Sequence, residues 1–173
     1  MALNQIKLIS VFSCFFFLNC FGQSIANLDA ANGFKIYKLG MACSAMPNIQ
    51  KSTIGYDGWY ESIDRSLFTF LGTNLIGVDL ICKEGVLADI LLQFQPITDL
   101  DAFVTLSKKI IAVFGGYNNS GTEPNGDKFY QWTSGKNVVL SLNLYCNSER
   151  GNLKVCSPQI GIWRKIDSKA NDY

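Results

Sequence analysis

Histidine is absent from all 173 residues. That excludes Ser-His-Asp and Cys-His nucleophilic catalysis and removes the commonest zinc ligand. An enzyme built on this chain has only carboxylates, Lys, Tyr, Ser or Cys to work with. Cysteine pairs of the C-x-x-C type are missing too, which leaves no basis for a four-cysteine zinc site or a thioredoxin-like redox motif. No GxSxG, S-x-x-K, phosphate-binding loop or dinucleotide fingerprint occurs. Neither sign of charge is in excess: 15 basic residues face 14 acidic ones, and without Lys7 the balance is even. A nucleic-acid or anionic-membrane footprint needs clustered positive charge, so neutrality speaks against both. Nothing implies a cofactor, and no internal repeat or heptad pattern stands out.

What is present begins with an apolar leader. Lys7 precedes LISVFSCFFFLNCFG, a run too short and too close to the terminus for a spanning helix. It predicts a secretory signal peptide over residues 1–22, with cleavage between residues 22 and 26. Cys20 and Gly22 fit the small-residue positions, and so do Ser24 and Ala26. Lipid anchoring at Cys20 is the weaker reading, because Asn19 stands where a small residue is wanted. An exported protein, periplasmic or secreted, is expected. No second apolar run is long enough to span a membrane. Residues 23–166 have the length of a single domain, and the charged stretch 167–173 reads as a flexible tail.

Beyond the leader stand Cys43, Cys82, Cys146 and Cys156, an even set suited to an oxidising compartment. NVVLSLNLYC alternates with Leu140, Leu142, Leu144 and Cys146 on one face; after the SERGN turn, Cys156, Pro158, Ile160 and Ile162 share a face. Setting Cys146 opposite Cys156 also sets Leu142 against Ile160 and Leu140 against Ile162. A cross-strand disulfide Cys146–Cys156 follows, and Cys43–Cys82 by elimination. Pro158 lacks an N–H and points to an edge strand or a bulge.

Elsewhere, GFKIYKLGM reads as extended, and a short helix is expected around Ser44–Lys51 with Pro47 in its first turn. NLIGVDLICKEGVLADILLQF predicts a hairpin with a three-residue loop, Lys83-Glu84-Gly85. That loop pairs Cys82 with Val86, Leu80 with Ala88, Val78 with Ile90 and Ile76 with Leu92 as a core face. A long helix follows, with Thr98 as N-cap, an apolar stripe of Leu100, Phe103, Val104, Ile110, Ile111 and Phe114, and Gly115-Gly116 at its end. Three more strands come after the loop GGYNNSGTEPNGD, in which Asn118-Asn119-Ser120 is a formal glycosylation sequon. The fold class is α+β: an antiparallel sheet meander with one long and one short helix packed on one face, held by two disulfides.

The same hairpin register places Asp79 opposite Asp89 on the outer face, among Leu75, Ile81, Leu87 and Leu91. Like charges across a strand pair are unfavourable. Both carboxylates can simply be solvated, await a cationic group of a partner, or form an acid/base or calcium-binding pair. The aromatic stretch YDGWY adds Tyr56, Trp59 and Tyr60, and Tyr117 lies in the long loop. Exposed aromatics make sugar platforms or protein hot spots, though a strand tryptophan such as Trp132 or Trp163 is more often core or rim.

FKIYKLGM, a short helix, twisted strands and YQWTSG opening a final meander resemble small exported modules related to the outer-membrane assembly lipoprotein BamE and to β-lactamase inhibitory protein. The resemblance implies helices against an antiparallel sheet and action by binding other proteins; it carries no functional residue across. The expected function is non-catalytic engagement of a protein partner in the cell envelope, as an assembly factor, inhibitor or immunity protein. A glycan or small-ligand binder using Trp59, Tyr60 and the 116–127 loop is the alternative. A histidine-free enzyme using Asp79 and Asp89 comes third.

Overall fold

The computed structural model describes residues 26–53, 57–124, 126–150 and 153–165. The leader over 1–22, the tail over 167–173 and Tyr56 lie outside the described residues. A helix α1 (Ala26–Ala31) leads into a two-stranded hairpin, β1 (Gly33–Phe34) and β2 (Tyr37–Lys38). Then come β3 (Ile49–Lys51), β4 (Trp59–Ser62), β5 (Thr69–Phe70), β6 (Thr73–Lys83) and β7 (Val86–Phe94). A second helix α2 (Leu100–Phe114) precedes β8 (Asn119–Thr122), β9 (Lys128–Thr133), β10 (Val138–Arg150) and β11 (Leu153–Arg164).

One nine-stranded antiparallel sheet has the order β3-β4-β6-β7-β11-β10-β9-β8, with β5 paired to β6. The order is that of two meanders meeting back to back at β7 and β11. Each meander follows a helix, the first after the intervening β1–β2 hairpin and with the extra strand β5 paired to β6.

The second helix of the α+β fold is not where Pro47 suggested. Cys43–Ala45 make a single 3-10 turn, and Met46, the residue before proline, is extended at φ −71° and ψ 125°, as that position favours. Asn48 then turns left-handed at φ 54°, and Ile49–Lys51 continue as β3 beside β4. The short helix is instead α1, in the polar lead-in. Its Asp29 accepts hydrogen bonds from Ser134 Oγ and from Lys136 N at 3.1 Å, which tie α1 to the β9–β10 turn, while Leu28 is buried.

Helix α2 starts one residue later than expected: Asp99, not Thr98, is the N-cap, its carboxylate accepting from Asp101 N at 3.0 Å. Only part of the expected stripe is core. Phe103, Leu106, Ile110 and Phe114 join the buried cluster, whereas Leu100, Val104 and Ile111 are exposed. At 100° per residue those three lie roughly 95° around the helix from the buried four. Two adjacent apolar stripes merge in the sequence, and one of them is covered.

The β6–β7 hairpin differs from expectation in a way that matters for function. Its turn has two residues, Glu84 and Gly85, both left-handed at φ 52° and 80°, with Lys83 paired to Val86, as a tight hairpin of this hand requires. Register then shifts twice, leaving Ala88 and Ile76 as the extra residues of two bulges. Between the bulges, Val78 pairs with Leu92 and Leu80 with Ile90, all four buried. Beyond them the parity reverses. Leu75 and Leu87 turn into the core, and Ile76 is left outside.

In the C-terminal meander the expected register is present: Leu142 faces Ile160, and Leu140 faces Ile162. Cys146 bonds Cys156, and Cys43 bonds Cys82. The second bridge is positioned by residues 40–43, which run beside the start of β7, with Leu87 N donating to Met41 O and Cys43 N to Gly85 O. Pro158 sits in a central strand, not at an edge. Cys156 N points toward the β7 side, where it donates to Ile97 O, so the nitrogen of Pro158, two residues on, points the same way. The β7–β11 ladder has stopped at Gln159, and no ladder bond is lost.

Candidate functional site

Directly paired residues of an antiparallel sheet project from the same face, so the register defines rows of side chains away from the core. One row crosses the sheet as Gln50, Glu61, Asp79, Leu91, Gly161, Ser141, Gln131 and Asn119. The next runs Gly77, Gln93, Gln159, Asn143, Phe129, Gly121. The third runs Trp59, Ile81, Asp89, Trp163, Val139, Thr133. Two grooves lie along these rows, one in each half of the sheet.

The groove of the N-terminal half encloses about 520 Å³ and is lined by Trp59, Glu61, Asp79, Gln93, Gln50 and Arg65, among others. Asp79 is opposite Leu91 across β7 and opposite Glu61 across β4; Asp89 is opposite Ile81. The expected Asp79–Asp89 pair therefore does not exist. The shorter turn and the bulge at Ala88 offset the strands, and Asp89 forms an ion pair with Lys83 at 2.8 Å. Two carboxylates do meet across a strand pair, but they are Glu61 and Asp79.

Asp79 is only 9% exposed and accepts a hydrogen bond from Gln93 Nε2. Burial raises its pKa above the usual carboxylate value, the Gln93 hydrogen bond opposes this, and the negative charge of Glu61 adds to the rise. Glu61 accepts from Ser52 Oγ at 2.6 Å and Gln50 Nε2 at 3.3 Å. Among the described residues no lysine or arginine lies within ion-pair distance of either carboxylate. Arg65, at the groove's edge, stacks its guanidinium 5.0 Å from the Phe68 ring centre. No cluster of three or more His, Cys, Asp or Glu that could hold a metal occurs among the described residues. The arrangement is an under-neutralised acidic floor beside an indole.

The groove of the C-terminal half is larger, about 700 Å³, and is lined by Leu91, Phe129, Gln131, Asn143, Tyr145, Gln159, Trp163 and neighbours. Acidic groups appear only at one end, where Asp127 accepts from Cys146 N at 2.9 Å. Burial, then the charges of Asp127 and Glu123, push the Tyr145 hydroxyl above its usual pKa, which keeps it a neutral donor.

Of the candidate face residues, Asp79, Ile81, Asp89, Leu91 and Trp59 share the open face. Leu75 and Leu87 do not, because the bulges turn them inward. Tyr60 pairs with Leu80 and packs on the core side. Tyr117 is exposed as expected but on the other side of the sheet: its ring lies 4.9 Å from Tyr130 and 6.1 Å from Trp132, which pair with the core residues Leu142 and Leu140. Glu61 went unrecognised because the docking of β4 beside β6 has no local signal, Gln93 because the β6–β7 register is offset by a bulge, and Phe129 because its partner strand β8 lies within the stretch read as a loop. Gly161 and Trp163, two apart on one strand face, were within reach of the alternation.

No family model, no curated protein and no solved structure matches this chain.

Proposed function

We propose that this is an exported, non-catalytic binding protein that engages a protein partner through the open face of its sheet, with the helices on the opposite side. The observation that carries the reading is the Glu61–Asp79 pair on the floor of the N-terminal groove. Two opposed carboxylates, one of them desolvated, cost stability in the free protein and gain when a cation enters. A lysine or arginine side chain of the partner supplies that cation. The guanidinium of an arginine bonds both carboxylates and stacks on Trp59, each a favourable contact for that group. The two disulfides, and the lack among the described residues of a helix long and apolar enough to cross a membrane, are compatible with export. The Asp79–Asp89 pair named in the third reading is absent, Asp79 facing Leu91 and Asp89 facing Ile81.

The test is quantitative affinity capture from the protein's own cell envelope, with the oxidised parent and the Glu61→Gln/Asp79→Asn variant side by side. A stoichiometric partner held by the parent and lost by the variant is expected. A partner held equally by both overturns the assignment of this groove.

A further inference from the structure

We infer that the groove of the C-terminal half is a binding cleft for a neutral saccharide, independent of the acidic groove. The first observation is how two aromatic rings are seated. A Cβ placed on Gly161 would lie 2.8 Å from Cζ3 and 3.3 Å from Cε3 of Trp163. A Cβ on Gly121 would lie 2.8 Å from Cε1 and 2.9 Å from Cζ of Phe129. No side chain fits beneath either ring, so each glycine lets the neighbouring ring lean over the sheet backbone. One side of each ring is supported by the strand, and both rings border the same cleft.

The second observation is the polar complement. Gln131, Asn143 and Gln159 stand around the rings, and none of the row positions in this half carries a charge. Ser141 Oγ donates to Asn143 Oδ1 at 2.9 Å, which orients that amide. A pyranose has an apolar C–H face and a rim of hydroxyls that both donate and accept. An aromatic ring suits the first, and side-chain amides, which carry both functions, suit the second. The cleft volume falls within the ~300–1,000 Å³ of small-ligand sites. A nucleic acid stacks on such rings as well, but its phosphates need a basic groove, and among the described residues of this lining Lys128 is the one cation, beside the acidic Glu123 and Asp127.

An array of neutral oligosaccharides built on glucose, N-acetylglucosamine, galactose and mannose is the probe, applied to the oxidised protein. The best binder is then titrated by calorimetry. Trp163→Ala is expected to weaken binding about tenfold or more. Gln131→Ala, which leaves the platform intact and guards against misfolding of the first variant, is expected to weaken it about fivefold. Glu61→Gln/Asp79→Asn leaves saccharide affinity unchanged, so this inference and the protein-partner reading fail separately. Silence across the whole array overturns the proposal. So does an affinity that survives Trp163→Ala and Gln131→Ala but is lost in Trp59→Ala, because the ligand then sits in the other groove. Binding of a peptide in this cleft without any saccharide overturns it too.

Discussion

The two halves of the sheet are both antiparallel meanders and present different chemistry on the same face. In the half formed by β3 to β7, the three rows contain Glu61, Asp79 and Asp89; in the half formed by β8 to β11, they contain no charged residue. Inward positions are alike, with Val78, Leu80, Ile90 and Leu92 matched by Leu140, Leu142, Ile160 and Ile162, all buried. Burial constrains one side of each strand and leaves the alternate side free to vary. The shared inward pattern therefore fixes a scaffold, while the outward residues give one half an acidic floor and the other a platform of rings and amides.

Each half also has its own disulfide, and removing them one at a time compares the halves most forcefully. Cys43–Cys82 spans 39 residues and Cys146–Cys156 spans 10. On the chain-entropy account, the Cys43→Ala/Cys82→Ala variant loses about 4 kcal/mol and the Cys146→Ala/Cys156→Ala variant about 3 kcal/mol. Urea unfolding of the three proteins measures both. A larger loss from the short loop would show that native-state packing around Cys146, not loop length, sets the difference.

The bulged register of the N-terminal half predicts a contrast within a single strand. Leu87 is 1% exposed, while Leu91 faces the grooves and is only half-buried. Leu87→Ala is expected to cost about 2–5 kcal/mol, and Leu91→Ala less than about 1.5 kcal/mol. Under simple alternation without a bulge both leucines share the outer face and the two losses are equal. Equal losses in denaturant unfolding would return Leu87 to the open face.

That contrast also shows where the sequence was legible. In the β10–β11 hairpin, two independent constraints, a cysteine pair and two apolar pairs, chose the same register, and the structure has it. In β6–β7 only apolar alternation was available, and almost every residue there is apolar, so a slip of one or two positions left the pattern looking sound. Nothing local marks Ala88 or Ile76 as bulge residues. Glu61 meets Asp79 only because β4 docks beside β6, and Leu91 meets Gly161 only because β7 docks beside β11. Such neighbours are set by tertiary pairing. The long helix was visible from its period and its terminal glycine, with the cap misplaced by one residue, but the split of its apolar residues into covered and uncovered stripes was not.

The smallest expected effect bears most directly on the acidic half. The pKa of Asp79 is raised in the folded protein, first by burial and then by Glu61, so the fold disfavours its ionised form. That cost is full above the folded pKa. As pH falls through the folded pKa, the native state takes up a proton that the unfolded chain, near its ordinary value of 3.8, does not yet bind, and the cost is relieved. Asp79→Asn should therefore be more stable than the parent at pH 7, with the advantage shrinking in acid and gone once both states of the parent are protonated. Asn143→Ala, on the neutral half, should shift stability by the same amount at both pH values. Thermal unfolding of the three proteins across this range reads the difference. If Asp79→Asn is instead less stable at pH 7, the carboxylate is already stabilised within the free chain. The groove then has no unmet charge to offer a partner, and the two halves differ in composition without differing in readiness to bind.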